Sequence, residues 1–111
     1  MNKTNDPKLI STILSKLPKS RDGHYVKMHL FVVCHDEDLG ARYYEAYVLK
    51  RYRGYLFCIV RNLIYPDNVA YEDVPLENFE YCDVYYTVYD PVKYPTASEV
   101  IRALSDIEYK K

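Results

Sequence analysis

Leu9, Ile10, Ile13, Leu14 and Leu17 recur at the three- and four-residue spacing of a single helical face. Asp6 followed by Pro7 is a cap-then-first-turn signal, and Pro18 ends the pattern. Lys19–Gly23 reads as a polar linker. From His24 to Cys34 the period drops to two, with Val26, Met28, Leu30, Val32 and Cys34 on one side and Lys27 and His29 on the other. Arg42–Lys50 and Tyr55–Ile64 form two further strand patterns, joined by Arg51-Tyr52-Arg53-Gly54 as a hairpin in which Gly54 can take a positive φ. Pro66-Asp67-Asn68 marks a turn, Val69–Val74 is a candidate short strand ended by Pro75, and Phe79–Tyr89 reads as a long last strand. Thr96 and Glu99 have the spacing of a capping box, ahead of a helix that buries Val100, Ile101, Leu104 and Ile107.

This order predicts a single α+β domain over residues 1–111: an antiparallel sheet of four to five strands, with an N-terminal and a C-terminal helix covering one face. The alternative curls the same strands into a small SH3-like barrel flanked by helices. A chain of 111 residues can bury about two-thirds of its unfolded surface, enough for a core without staples. No apolar run is long enough for a membrane span, and the polar N-terminus lacks the apolar segment of a signal peptide. Together with three cysteines, which cannot all pair within one chain, this predicts a reduced, intracellular (cytoplasmic) protein.

Charge is segregated. Residues 1–61 hold 11 Lys or Arg against 6 Asp or Glu, whereas residues 62–111 hold 4 against 10. Between Arg61 and Lys93 there are seven acids and no basic residue. Such a segment favours a partner with a basic surface, acting more on association rate and partner choice than on affinity.

Tyrosine occurs 14 times, Phe three times and Trp never, and there is no glutamine. A small chain of this composition resembles the orphan proteins of viruses that infect hyperthermophilic archaea. The resemblance implies a provenance, and with it a viral accessory factor that binds or inhibits a host protein or defence complex.

Four constellations are candidates for function. In the last strand, Cys82, Val84, Tyr86 and Val88 form the inward set, leaving Phe79, Tyr81, Asp83, Tyr85, Thr87 and Tyr89 on the opposite side. With Glu80, Glu72 and Asp73 nearby they predict a protein-contact surface, for a partner protein or a second copy of the chain. Arg42, Tyr43, Tyr44 and Tyr47, with Lys50, Arg51, Tyr52 and Arg53, interleave cations with rings as a single-stranded nucleic-acid site does. The net charge of −1 opposes a general nucleic-acid binder, so this reading stands second. The His35-Asp36-Glu37-Asp38 loop is the basis of a third, a metal-dependent nuclease. Cys34, Cys58 and Cys82, with His29 or His35, would make a zinc set, but no pair has knuckle spacing. The three glycines are too scattered for a phosphate loop, and no residue is marked as a nucleophile or general base. The expectation is a non-catalytic binding protein without cofactor or metal.

Overall fold

The computed structural model describes residues 2–18, 25–36 and 40–109. Its elements are β1 (Asn2–Thr4), α1 (Pro7–Lys16), β2 (Met28–Asp36), β3 (Gly40–Tyr52), β4 (Tyr55–Asn62), β5 (Val69–Pro75), β6 (Cys82–Val88) and α2 (Ala97–Tyr109). The Lys19–Gly23 linker and residues Glu37 and Asp38 of the acidic loop lie outside the described residues, as does the side chain of Ile107.

The class is α+β, with one antiparallel sheet of six strands in the order β1-β6-β2-β3-β4-β5. Two strands exceed the sequence-based core of four: β5, the candidate, and β1, which was unmarked. β1 is three polar residues with no alternating pattern, and only pairing with β6 makes it a strand. The outer strands β1 and β5 do not meet, so the sheet is open and the barrel alternative is set aside.

Local signals explain the ends of the elements. The Asp6 carboxylate accepts the Lys8 N–H at 3.0 Å, and Pro7 occupies the first turn of α1. At α2, Thr96 Oγ1 accepts the Glu99 N–H at 3.1 Å and donates to Glu99 Oε1 at 3.1 Å. The β3–β4 hairpin turns at Gly54, with φ +78°.

The helices lie on opposite faces of the sheet, not on one. α1 contributes Ile10 and Leu14 to a core with Met28, Leu30, Val32, Val48, Leu56 and Val84. α2 contributes Ala97, Val100 and Leu104 to a second core with Val26, Leu49 and Ile59. Ile59 and Cys58 are neighbours in β4 and belong to different cores, as alternation requires. Alternation puts Leu49, next to Val48, on the second face, and the bulge between Val48 and Lys50 keeps Lys50 on that face too, over the Phe57 ring. Val26, expected beside Met28, also joins the second core, held by its N–H to Pro95 O at 2.8 Å.

Two further expectations are corrected. The last strand begins at Cys82, because Leu76–Phe79 is a short 3-10 helix that inserts Phe79 into the first core at 0% exposure. Cys34 and Cys82 are not reduced. They sit directly opposite each other on β2 and β6, 4.2 Å apart at Cα, and form a disulfide. Cys58 remains a buried free thiol, which desolvation first and the acids Asp73 and Glu72 next push far up from its ordinary pKa.

Reduction of the bridge, or Cys82→Ser, should lower stability by about 2–4 kcal/mol, since it closes a loop across 48 positions. Chemical unfolding with and without reductant measures this, and an unchanged midpoint in the two would refute it. Phe79→Ala should cost about 3–5 kcal/mol by the same assay, as a fully buried ring.

Candidate protein-contact surface

The second face divides into two halves. Where α2 packs, Tyr47, Phe57, Val69 and Tyr89 are drawn against the buried Val26, Leu49 and Ile59. Further along the same face, Phe31 on β2 lies between Tyr43 on β3 and Tyr85 on β6, with ring centroids 6.5 and 6.1 Å away. Register dictates the group, since Phe31 pairs with Tyr85 on one side and Val33 pairs with Tyr43 on the other. Tyr43 is 42% exposed, and Phe31, Val33 and Tyr85 are half-buried.

A charged border surrounds these rings. Asp83 lies 3.7 Å from Lys3 Nζ and 3.6 Å from His35 Nε2, and Lys3 Nζ also sits over the Tyr85 ring at 5.7 Å. Toward α2, Glu45 accepts from Arg61 Nε at 3.0 Å and lies 3.3 Å from His29 Nε2, whose ring stacks on Tyr47 at 4.6 Å. The His29 imidazole 3.3 Å away, with the Arg61 charge, holds the Glu45 carboxyl below the ordinary glutamate pKa against the opposing effect of burial. Burial, followed by the Glu45 charge, pushes the Tyr47 phenol well up. Tyr47 is thus a neutral ring over a closed ion cluster.

Of the residues expected at a protein contact, Tyr85 and Asp83 belong to this surface. Phe79 is core. Tyr89 is half-buried beneath α2, and burial raises its phenol pKa. Tyr81 and Glu80 are exposed in the turn before β6, with Tyr81 at 87%. Glu72 and Asp73 lie at the far edge of the sheet, on β5. Phe31 and Tyr43 are the residues that strand-by-strand reading missed as partners of Tyr85; the signal was the antiparallel register.

The basic-aromatic set divides. Arg42 and Tyr43 lie eight or so residues of extended chain from Lys50, ~27 Å at strand rise. Tyr44 is half-buried against the first core, and its phenol is pushed up mainly by burial. Tyr47 is engaged with His29. At the hairpin, Lys50 Nζ sits over Tyr52 at 5.0 Å and Phe57 at 5.7 Å, and Arg51 Nη1 donates to Ser11 Oγ at 2.8 Å. Arg53 is exposed beside them. Among the described residues no three His, Cys, Asp or Glu side chains gather as a metal site, and the Cys34–Cys82 bridge removes two members of the zinc set.

No protein-family model, curated protein or solved structure matches the chain.

Because its folded pKa is lowered, Glu45 contributes stability that is complete above the ordinary glutamate pKa and lost as pH falls through the lowered value. Glu45→Gln should therefore flatten the acid limb of the stability–pH curve, and Arg61→Ala should cost about 1.5–3 kcal/mol at neutral pH. Denaturant titrations across acid pH test both, and an acid limb unchanged in Glu45→Gln would refute the assignment.

Proposed function

We propose that the chain is a non-catalytic binding protein that meets a partner protein through the Phe31–Tyr43–Tyr85 half of its second face. The observation that carries this reading is that, among the described residues, α2 packs on only one half of that face. The other half offers three neighbouring rings within a border of Lys3, Asp83 and His35. Tyrosines give a large contact area with few torsions to freeze, and a charged border around an aromatic centre is the usual anatomy of an interface. Glu80 and the exposed Tyr81 extend the surface toward the acidic segment, which favours a partner of basic character.

In this reading the role is that of an accessory factor which binds or inhibits a host protein, the role implied by the compositional resemblance to viruses of hyperthermophilic archaea. Disulfides inside cells are rare in mesophiles and common in hyperthermophiles, so the Cys34–Cys82 bridge supports a hot host for a protein acting inside the cell. No helix of the described residues is long and apolar enough to cross a membrane.

Tyr85→Ala and Tyr43→Ala should each weaken association with the partner by about 1–3 kcal/mol while unfolding stays cooperative. Tyr65→Ala, an exposed ring in the β4–β5 connection, should change nothing. The measurement is affinity for the protein captured from nuclease-treated host lysate. Capture that disappears with nuclease would favour a nucleic-acid partner, and equal affinity in all three variants would sink the contact-surface reading.

A further inference from the structure

The sheet has two edges, and they are treated differently. β1 is three residues long. β5 is seven residues long and, among the described residues, paired only with β4, and Ala70, Tyr71, Glu72 and Asp73 are all exposed. Long exposed edges are normally blunted by charged side chains, bulges or proline, because their free backbone groups template a further strand, and the charges here, Glu72 and Asp73, are both acidic. Proline appears here only at the end, as Pro75. The Leu76 N–H bonds inward to Gly54 O at 2.8 Å, and Pro75 has no N–H to give. Alternation then turns the backbone N–H and C=O of Asp73, Tyr71 and Val69 away from β4.

The side chains of this edge select what can pair with it. On the first face, Glu72 borders a cavity of about 830 Å³ whose wall also includes Tyr44, Asn62, Asn78 and, toward β3, the cation Arg42. On the second, Tyr71 stacks on Phe57 at 5.6 Å between centroids. A second copy centred on Tyr71 would set Glu72 against Ala70 with no charge pairing, and one centred on Glu72 would set that carboxylate against its own image. Like charges directly opposite are unfavourable. A basic strand meets the opposite situation. A Lys or Arg beside Glu72 would stand at the cavity mouth, and the next side chain along would lie on the exposed Tyr71 ring.

We propose that the β5 edge takes an extended, Lys- or Arg-bearing segment of a partner protein as a seventh strand, with a basic side chain set beside the exposed Glu72. The mode is strand addition, in which backbone hydrogen bonds supply affinity and alternate side chains supply specificity. This site is separate from the aromatic surface: β6 and β5 are four strand spacings apart, ~19 Å, so either can fail without the other.

The probes are an eight-residue alternating Lys-Thr peptide and its Glu-Thr counterpart, titrated into the whole protein by calorimetry. The Lys peptide should bind at least tenfold more tightly than the Glu peptide. Glu72→Lys should reverse that order. Tyr71→Pro, which removes an outward N–H and leaves the β4 ladder intact, should abolish binding of the Lys peptide with the circular dichroism spectrum retained. Tyr85→Ala should leave it unchanged. Equal binding of the two peptides, an order that Glu72→Lys does not reverse, or sedimentation showing a dimer that the Lys peptide fails to dissociate would each overturn the proposal.

Discussion

The architecture depends on β2 being paired along both of its sides, with β3 and with β6. A strand so enclosed sends Met28, Leu30 and Val32 to one face and His29, Phe31 and Val33 to the other, and both sets contain side chains that need cover. The cover is limited. α1 has 10 residues and α2 has 13, so they reach ~15 and ~20 Å, while β3 alone has 13 residues and runs ~40 Å. One helix per face therefore leaves part of each face open. The uncovered remainder of the first face is the cavity beside Glu72, and that of the second is the group around Phe31.

The two open regions differ in chemistry because of what borders them. On the second face, Glu45, Arg61 and His29 close a charge cluster between the α2 core and the aromatic half. With its carboxylate already held by a guanidinium and an imidazole, and Tyr47 packed over the imidazole, that cluster is a structural seam. It ends the apolar core without leaving a buried charge unpaired. On the first face the wall is mixed, with Tyr44, Asn62, Asn78 and the opposite charges of Glu72 and Arg42 beside Val60, Ile64 and Val74, so polar and apolar groups share it.

The disulfide and the 3-10 helix act on the same part of the molecule. β6 follows the Leu76–Phe79 turn, and the Cys34–Cys82 bridge joins its first residue to β2. Phe79 fills the first core immediately before that bridge. The entry to β6 is therefore fixed by a covalent link and a buried ring together, which sets the register that places Tyr85 beside Phe31 and Asp83 beside Lys3.

Period, caps and turns along the chain determined much of the fold. The apolar spacing of α1, the Asp6–Pro7 and Thr96–Glu99 starts, the alternation of β2 and the Gly54 hairpin are local preferences that need no distant partner, so they were legible in the sequence. The acidic block and the wealth of tyrosine were legible as surface character. Other features came only from tertiary structure. β1 has no pattern of its own and exists through β6; Val26 changes face where it bonds to Pro95; a bulge leaves Leu49 and Lys50 on one face; Cys34 and Cys82 pair because register makes them opposite. The helices' division between two faces is likewise a matter of chain path, which amphipathic spacing does not encode. The same holds for the candidate surface. Sequence identified Tyr85 and its strand, but which rings surround it, and that Tyr89 lies under α2 while Tyr85 does not, was decided by strand order and helix length.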